Sequence, residues 1–371
     1  MEPSKKILFI GNVNSFLISN LAKELKKNNP KLHIDILSEA KNIEPNSIFD
    51  NVYFVDETNY WARKKFIKVL YYAWKYKQIL HSIPVKYDYI HLLYISTIFR
   101  LIWKKLQSKG DKIVLTVFGS DFYKAGKTMR KMLRKMTDEA DLISGTNPVT
   151  LADFSNYYSV PTEKRLLCRF GLTILDEIDA VSEEEVKIFR ASNNVNDTTK
   201  IIACGYNTST NQNIEKIIEQ LVSVKEQLSD VVLFFQFPIH DNDYTLKLEE
   251  QIQQSNFKHV IFKKRFTDKE LAIYRKAVDI CIQVQNTDQF SGAMQEHLYA
   301  GSIVITGKWL PYKVLDEKNT DYIRIETLDE LGASVIQNMN KTVDTEQNKQ
   351  VIASFSKWEK TILDWNAIYL K

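Results

Sequence analysis

Short apolar runs alternate with amphipathic stretches along almost the whole chain, and this alternation restricts the fold more than any other feature. The first run, "KILFIGN", is followed by the helix-like "SFLISNLAKELKKN" and then by a second run, "LHIDILS". Apolar runs of this length are typical of parallel strands that are buried on both faces of a sheet. The repeated order of strand and helix predicts an α/β protein with open parallel sheets and helices on both faces.

The chain is long enough for two such sheets, since its 371 residues exceed what one hydrophobic core usually spans. Residues 1–170 hold 28 Lys/Arg against 16 Asp/Glu (+12), whereas the rest holds 22 against 30 (−8). The acidic and then Asn/Asp-rich stretch 173–200 looks like an interdomain connection.

We therefore predict two Rossmann-like, doubly wound domains whose strand carboxyl ends face a central cleft. The expected boundaries are 1–172 for the first domain and 173–354 for the second. An amphipathic helix over 355–371 ends the chain and could cross back to the first domain.

The compartment is expected to be the cytoplasm. No apolar run approaches the roughly 20 residues that span a bilayer, and the N-terminus shows no signal-peptide cleavage region. The three cysteines, Cys168, Cys204 and Cys281, have no metal-ligand spacing and are expected to be buried and reduced. The scattered histidines argue against a transition-metal site.

The stretch "NTDQFSGAMQEHLYAGSIVITG", Asn286 to Gly307, predicts a strand end, a loop, a short helix and another strand. A helix that begins near Ser291 would leave its first backbone N–H groups unpaired, and its dipole would favour an anion such as a diphosphate. The amides in question are those of Gly292, Ala293 and Met294.

Two carboxylates flank this helix start. Glu296 lies beyond the first turn and is placed to accept hydrogen bonds from a diol such as a ribose. Asp288 precedes the helix and could accept from hydroxyls on the far side of the phosphates. A capping Asp and a solvated Glu are the alternative, but the turn, the helix start and the terminal Gly301 coincide here, which favours a ligand site.

The same stretch resembles the nucleotide-sugar signature of retaining GT-B glycosyltransferases, roughly E-x-F-G-x-x-x-x-E-A-x-x-x-G-x-P-V-I. Asp288, Phe290, Glu296 and Gly301 occupy the places of the first acid, the aromatic, the second acid and the glycine. The resemblance implies that Glu296 holds the nucleotide ribose, that Asp288 contacts the donor sugar and that the intervening amides bind the diphosphate. Ser291 replaces the usual glycine after the aromatic, and Gly292 follows one place later.

The segment "KIIACGYNTSTNQNIEKII" resembles the first strand-loop-helix of the C-terminal domain of the same family. The family's Arg and Lys, which offset the diphosphate charge, are missing, since Tyr206 and Asn213 stand near their places. Arg265 in "FKKRF", with Lys264 beside it, is the substitute candidate; a solvated loop charge is the alternative. The loop residues expected to line the donor are Gly205, Tyr206 and Asn207.

In the N-terminal half, "TVFGSDFYK" resembles the family's T-x-H/W-G-S-D segment. The expected acceptor-binding residues there are Phe118, Gly119 and Ser120, and Phe118 stands where the family often has His. Asp121 binds an acceptor hydroxyl or caps the next helix. Gly11 and Asn12 in "FIGNVNSF" resemble the glycine loop that approaches donor phosphates; the absence of G-x-G-x-x-G counts against a dinucleotide-dependent dehydrogenase.

Residues 59–110 combine 11 Lys/Arg with a single acid, Asp88, and many aromatic side chains. Such a stretch could lie on an anionic membrane or a lipid-linked acceptor. Nucleic-acid binding proteins have a similar composition. A helix that packs its aromatic residues inward and solvates its lysines is the third possibility.

These features predict a glycosyltransferase that moves a sugar from a nucleotide-sugar donor, a UDP-sugar in particular, to a hydroxyl of a glycan or lipid-linked acceptor. Retention of configuration, a bacterial surface-polysaccharide role and independence from metals or other cofactors are implied by the resemblance. The expected catalytic residues are Asp288, Arg265 and Asp121. Expected partners are the donor, the acceptor, the inner membrane face via residues 59–110, and further protein copies or subunits, but no nucleic acid.

The main alternative is a non-catalytic GT-B protein that binds a partner glycosyltransferase or a glycosylated acceptor. The missing Arg/Lys pair and the shift at Ser291 favour it, whereas the retained Asp288 and Glu296 oppose it. A nucleotide-sugar epimerase would need acid/base carboxylates or histidines around the sugar, and the sequence shows no such cluster.

Overall fold

The computed structural model describes residues 5–39, 48–55, 67–238 and 242–369. The chain divides into two compact units: an N-terminal unit, Met1–Gly171 with Trp358–Lys371, and a C-terminal unit, Leu172–Lys357. Each unit contains one parallel sheet with helices on both of its faces. The predicted α/β class with two doubly wound, Rossmann-like domains is confirmed.

The N-terminal unit is built on seven parallel strands in the order β3-β2-β1-β4-β5-β6-β7. Their apolar side chains are buried on both faces of the sheet, as continuous runs such as "KILFI" predict. The strands are β1 (Lys6–Ile10), β2 (His33–Ser38), β3 (Val52–Phe54), β4 (Tyr87–Leu93), β5 (Gly110–Val117), β6 (Leu142–Gly145) and β7 (Arg165–Leu167).

In the described part of this unit, six α-helices lie before residue 172. They are α1 (Phe16–Asn28), α2 (Lys68–Ser82), α3 (Thr97–Lys109), α4 (Ser120–Tyr123), α5 (Lys127–Glu139) and α6 (Pro148–Tyr158). One face of the sheet packs with α2, α3, α5 and α6 in a single apolar core, whereas α1 belongs to the core on the opposite face. Of the basic stretch 59–110, residues 59–66 lie outside the described residues.

The C-terminal unit is built on six parallel strands in the order β10-β9-β8-β11-β12-β13. The strands are β8 (Lys200–Cys204), β9 (Val231–Gln236), β10 (Lys258–Phe262), β11 (Ile280–Gln283), β12 (Ile303–Gly307) and β13 (Ile323–Ile325). The helices are α7 (Ile174–Ala180), α8 (Glu183–Ser192), α9 (Ile214–Ser223), α10 (Asp243–Gln254), α11 (Asp268–Ala277), α12 (Gly292–Ala300), α13 (Lys313–Glu317), α14 (Leu331–Asn338) and α15 (Thr345–Ser356).

The acidic stretch 173–200 differs from the expected connection. It forms α7 and α8, which pack against α11, and Leu175 and Ile178 are buried in the core of the C-terminal unit. Ser182 and Glu185 form a capping box at the start of α8, so the acids that suggested a linker stabilise a helix N-terminus.

The last helix, α16 (Trp358–Tyr369), packs on the N-terminal unit. Trp365 and Tyr369 are fully buried there, and the Trp365 indole donates a hydrogen bond to the Arg169 carbonyl at 2.8 Å. A buried chain of hydrogen bonds runs from the Tyr369 hydroxyl through both ring nitrogens of His91 to Thr116. The C-terminal segment is thus part of the N-terminal unit's core.

All three cysteines are buried free thiols. None of the described helices is both long and apolar enough to cross a membrane. The described part of the chain also contains no cluster of three or more His, Cys, Asp or Glu side chains with metal-binding geometry.

Candidate functional site

The C-terminal sheet reverses its strand order between β8 and β11, and the loops that follow these two strands meet there. In open α/β sheets such a switch point at the strand carboxyl ends is the usual ligand site. Two asparagines join the loops: Asn213 Nδ2 donates to the Val284 carbonyl at 2.7 Å, and Asn286 N donates to the Asn211 carbonyl at 2.9 Å. Asn213, which stands near the family's Lys, therefore serves to hold the loops together.

The loop after β8 starts at Gly205, whose φ of +69° requires glycine. Its N–H donates to the Ile282 carbonyl at 3.1 Å, which keeps the loop against β11. Asn207 accepts a hydrogen bond from Ser209 N at 2.8 Å and forms an Asx turn. All three predicted loop residues, with Tyr206 between these two, therefore lie at the switch point.

Helix α12 begins at Gly292 in the loop after β11, as predicted. Ser291 is its N-cap: the Ser291 Oγ accepts from Met294 N at 3.2 Å and donates to Gln283 Oε1 at 3.1 Å. The Met294 amide is therefore occupied by the side chain that replaces the family's glycine. No described residue accepts a hydrogen bond from the amides of Gly292 and Ala293, which leaves two donors for a ligand.

Glu296 is bound by Arg275, a residue that sequence reasoning missed. Arg275 Nε donates to Glu296 Oε2 at 2.9 Å, and Arg275 Nη1 donates to His297 Nε2 at 2.9 Å. The guanidinium is only 3% exposed. A buried charge of this kind needs a partner, so Arg275 and Glu296 hold each other in place between α11 and α12.

His297 must be neutral to fit this arrangement. Since a guanidinium can only donate, His297 Nε2 is the acceptor and Nδ1 carries the proton that faces Ser302 Oγ at 3.0 Å. Ser302 Oγ in turn donates to the Val278 carbonyl at 2.9 Å. Burial, together with the charge of Arg275, lowers the pKa of His297 well below its usual value.

The second oxygen of Glu296 faces the helix start. Oε1 lies 3.7 Å from the position that a Cβ on Gly292 would take, and it has no hydrogen-bond partner among the described residues. One carboxylate oxygen is thus fixed by Arg275, while the other lies near Gly292, the first residue of α12. This pairing of an acceptor with amide donors suits a ligand that presents hydroxyls next to phosphate.

Asp288 precedes α12 in the sequence, whereas Glu296 lies within the helix. The Tyr312 hydroxyl donates a hydrogen bond to Asp288 Oδ2. Gln285 Nε2 donates to the same tyrosine oxygen at 3.3 Å. Burial raises the pKa of Asp288, although the hydrogen bonds from Tyr312 and from the backbone N–H groups of Gln289 and Ser291 oppose the shift.

Tyr206, which replaces the family's Arg, reaches the same site. Burial raises the pKa of its hydroxyl, as does the charge of Asp288, whereas Gln212, Ser291 and Arg275 lower it. The Tyr206 hydroxyl therefore lies near Asp288 and Ser291, and it is a neutral hydrogen-bonding group at the position that the motif resemblance assigns to Arg.

Two of the three cations that follow β10 form ion pairs. Lys263 pairs with Glu249 at 2.8 Å and Lys264 pairs with Glu270 at 2.6 Å. Arg265 is exposed and has no ion-pair partner in the described part of the chain. The hydrogen bonds of the site do not include it, because β10 is the edge strand and lies two strands away from β8.

In the N-terminal unit, Asp121 is a loop anchor. Its buried carboxylate accepts from three backbone amides, those of Ile95 at 3.2 Å, Phe118 at 3.3 Å and Gly119 at 2.9 Å. Burial raises the pKa of Asp121, and these hydrogen bonds oppose the shift. Asp121 does not cap α4, whose N-cap is Gly119 without a side-chain cap hydrogen bond, and instead anchors the loops that follow β4 and β5.

The other residues expected to bind the acceptor differ in their exposure and contacts. Phe118 stacks on Phe170 with ring centroids 5.6 Å apart. Gly119 has a φ of +98°, which explains the glycine. Ser120 is exposed at the start of α4. Phe118 therefore contributes packing, whereas Ser120 stays accessible to a ligand.

The first loop of the chain is tightly packed. A Cβ on Gly11 would lie 2.6 Å from Ile18 Cδ1, so a side chain at this position would displace the end of Ile18. Asn12 is exposed and accepts a hydrogen bond from Asn14 N at 2.9 Å. Gly11 follows β1 and Tyr94 follows β4, and these adjacent strands form the switch point of the N-terminal sheet.

Tyr94 is the second residue that the sequence did not reveal. It has a φ of 130°, rare for a residue with a side chain, and its ring is 47% exposed. The next residue, Ile95, is fixed by Asp121. A strained, exposed aromatic residue at a switch point is a candidate ligand contact.

Residues 6–147 match the sequence model of the family described as glycosyl transferase 4-like. No curated protein is significantly similar to the chain in sequence. A glycosyltransferase from Rickettsia africae has a TM-score of 0.76 at 13% identity, over 99% of this chain and 98% of that chain.

Two further solved structures are similar over their full lengths. Sucrose-phosphate synthase from Thermosynechococcus elongatus has a TM-score of 0.74 at 15% identity, over 98% of both chains. HepE from Anabaena, solved with UDP and glucose, has a TM-score of 0.72 at 13% identity, over 98% of this chain and 99% of that chain.

The chain has the fold of the GT-B glycosyltransferases. Its N-terminal part carries a glycosyl transferase 4-like domain, and the resemblance expected from the sequence motifs is confirmed. The similarity supports a transferase as the class of enzyme, whereas at these identities the solved structures show the fold alone.

Proposed function

We propose that the protein transfers a sugar from a UDP-sugar donor to a hydroxyl of a glycan or lipid-linked acceptor. The observation that carries this proposal is the arrangement at α12, where the amides of Gly292 and Ala293 are unpaired and Glu296 Oε1 lies 3.7 Å from the Cβ position of Gly292. A carboxylate beside amide donors fits a ribose next to a diphosphate. The binding of UDP and UDP-glucose by Anabaena HepE, which has the same fold, supports uridine as the nucleotide.

Each part of the donor has a candidate partner. Glu296 accepts from the ribose hydroxyls, with Arg275 fixing the carboxylate's orientation. The amides of Gly292 and Ala293 bind the diphosphate, with the dipole of α12 behind them. Asp288, held by Tyr312, accepts from hydroxyls of the sugar.

Charge on the departing diphosphate needs electrostatic stabilisation. Arg275 is paired with Glu296, so only part of its charge reaches a ligand. Arg265 is exposed and unpaired in the described structure, and its flexible side chain is the candidate for this task once a donor is bound. No metal is expected to take part.

The acceptor is assigned to the N-terminal unit. The Tyr94 ring offers an exposed apolar face of the kind that packs against a sugar ring, and Asp121 keeps its loop in position through the Ile95 amide. Ser120 offers an accessible hydroxyl nearby in the chain. We infer retention of configuration, with the acceptor proton passing to a donor phosphate oxygen on the same face of the sugar.

A non-catalytic GT-B protein that binds a partner transferase or glycan is the second candidate. The observation in its favour is that Tyr206 and Asn213 occupy the places of the two phosphate-binding cations, and Asn213 is fully engaged between loops. A protein of this kind would bind a glycan or a partner chain without turning over any donor.

A panel of nucleotide sugars, measured by calorimetry and by donor hydrolysis, tests the proposal. The wild type is expected to bind and slowly hydrolyse at least one UDP-sugar, and Glu296→Ala should bind it at least tenfold more weakly. Glu226→Ala, a change at an exposed residue of the same unit, is the matched control. Failure to bind any donor sinks the proposal, while binding without hydrolysis or transfer favours the non-catalytic alternative.

A further inference from the structure

Three neighbouring helices of the N-terminal unit carry an unusual concentration of positive charge. Helices α2, α3 and α5 pack side by side, with α3 in the middle. Their sequences contain twelve Lys/Arg and only two acids, Asp138 and Glu139. Since the whole chain has a net charge of only +4, the positive charge is gathered here. We call the outer side of these helices the basic face.

A groove of about 720 Å³ runs across the basic face between the helices. No acid occurs among the described residues that line it. The residues that matter most here are Trp74, Lys77, Arg100, Leu101, Lys104 and Lys105.

Most cations of the groove are unpaired; the exception is Lys135, which pairs with Glu139 at 3.5 Å. Lys77, Arg100 and Lys104 have no ion-pair or hydrogen-bond partner among the residues that the structure describes. Elsewhere on the molecule comparable lysines are paired, for example Lys263 with Glu249 and Lys264 with Glu270. Like charges gathered without counter-charges repel one another, so the groove suits a partner that supplies negative charge.

Large apolar side chains lie between these cations and face outward. Exposed fractions are 63% for Leu70, 51% for Trp74, 39% for Leu101, 44% for Met129 and 41% for Met132. They come from all three helices. An exposed patch of this kind marks an interaction surface rather than ordinary solvated helices.

We propose that the basic face docks on the surface of a bilayer rich in anionic phospholipid. Lysine and arginine attract the negative headgroups, while Trp74, Leu101 and their apolar neighbours enter the boundary between headgroups and acyl chains. Lysine stems can lie along the apolar layer with their ammonium groups in water. A nucleic acid would match the charge and could stack on Trp74, but it offers nothing apolar to the exposed leucine and methionine side chains.

The docking surface is independent of the donor site, because none of its residues belongs to the C-terminal unit. If the acceptor is lipid-linked, docking by the N-terminal unit would bring the acceptor-binding unit to the membrane that holds it. Loss of membrane binding and loss of donor binding are therefore separate results.

Vesicle co-sedimentation of the full chain provides the test. Vesicles of phosphatidylcholine with about a third phosphatidylglycerol are expected to bind the wild type, pure phosphatidylcholine vesicles are not, and binding should weaken as salt rises. Lys77→Gln with Lys104→Gln should weaken binding about tenfold to thirtyfold, since each cation near such a surface contributes roughly fivefold. The matched control, Lys187→Gln with Lys318→Gln, removes two exposed lysines from the C-terminal unit and should bind as the wild type does.

A second variant, Trp74→Ser, keeps the charge and is expected to weaken vesicle binding severalfold even at low salt. Calorimetry with UDP verifies that each variant retains its C-terminal unit. Equal binding to neutral and anionic vesicles would overturn the proposal, as would equal losses in both double variants. It is also overturned if a single-stranded RNA oligomer binds the basic face at a salt concentration that abolishes vesicle binding.

Discussion

The guanidinium of Arg275 and the carboxylate of Glu296 form a hydrogen-bonded ion pair, with Nε and Oε2 at 2.9 Å, between two helices of the C-terminal unit. The pair connects Glu296, the acid that we propose for the donor ribose, to a network that continues through His297 and Ser302. A buried pair gives little net stability compared with apolar packing, but removing one partner leaves an uncompensated charge. Its value here is that it fixes the orientation of Glu296.

Replacing Arg275 by Met should destabilise the C-terminal unit by about 3–5 kcal/mol, because Glu296 and His297 both lose a buried partner. Arg275→Lys should rescue this only in part, since one ammonium group cannot reproduce the two bonds of the guanidinium. Denaturant unfolding measures the loss. Arg265→Met, a change of the same type at an exposed and unpaired residue, should stay within about 0.5 kcal/mol of wild type. Equal effects of the two Met variants would show that the buried pair has no special role.

Asp121 offers a test between a loop anchor and a catalytic base. Asp121→Ala leaves three backbone N–H groups without their acceptor and should cost about 2–4 kcal/mol. Asp121→Asn keeps one acceptor oxygen and should have an intermediate stability with transfer activity that falls in parallel. Unfolding and transfer rates are measured on the same preparations, with Asp138→Asn at an exposed position as control. A stable Asp121→Asn protein without any transfer would instead indicate a direct role in chemistry.

The strained backbone at Tyr94 should lower the stability of the fold, while the ring of Tyr94 is expected to contact the acceptor. Glycine accepts a φ of 130° without strain, but it loses more backbone entropy on folding than tyrosine does. Because the relieved strain is the larger of the two terms, Tyr94→Gly should raise the free energy of unfolding by about 0.5–2 kcal/mol. The KM for the acceptor should rise, whereas Tyr94→Phe should retain it because the ring remains. The comparison needs unfolding curves and acceptor titrations of both variants. An unchanged acceptor KM in Tyr94→Gly would remove Tyr94 from the acceptor site.

Two buried histidines predict how stability depends on pH. Burial lowers the pKa of His91 to about 3, and burial with the Arg275 charge lowers that of His297 well below 6.5. The unfolded chain takes up protons near pH 6.5 while the folded units do not. The contribution of the two neutral histidines to folding stability is therefore complete above pH 6.5. It is lost as the pH falls below 6.5, by about 1.4 kcal/mol per pH unit for each histidine.

Denaturant unfolding between about pH 7.5 and pH 5 checks this slope. In the variant His91→Gln, unfolding of the N-terminal unit should take up one proton fewer, so the slope of its unfolding free energy against pH should be smaller. This holds whatever the effect of the substitution on absolute stability. His81→Gln, at an exposed residue, should leave the slope unchanged. A slope that is identical in His91→Gln and in the wild type would mean that His91 becomes protonated in the folded unit.

The fold could be predicted from the sequence because parallel strands require local patterns. Runs such as "KILFI" are apolar at every position, and the helices between them are amphipathic, so both are visible without knowledge of tertiary contacts. The structure of the stretch 173–200 was harder to predict from the sequence, because an acid that suggested a linker, Glu185, belongs to the capping box of α8. Only the burial of Leu175 and Ile178 shows that this segment belongs to a domain.

Some residues of the candidate site could be predicted from the sequence and others could not. The start of α12 and its two acids were predicted, since the turn, the helix start and the terminal glycine lie within one short stretch. Arg275 was missed because its partner Glu296 lies 21 residues along the chain. The available signal was its position four residues after Leu271 and three after Ala272, on the inward face of α11.

The Ser291 substitution also becomes understandable only in three dimensions. In sequence it is a departure from the family's glycine, which favours the non-catalytic alternative. In the structure its hydroxyl caps α12 and bonds Gln283, so it uses one of the three predicted donor amides and leaves two. Side-chain orientation of this kind does not follow from a motif.

Calorimetric titration of UDP into the wild type and Glu296→Gln tests the central claim most directly, because it examines the nucleotide site without needing the sugar or the acceptor. We predict saturable binding of UDP to the wild type, at least tenfold weaker binding to Glu296→Gln, and unchanged binding to the exposed control Glu226→Gln. No binding of UDP to the wild type, or equal affinities for all three proteins, would contradict the assignment of α12 and Glu296 as the donor site.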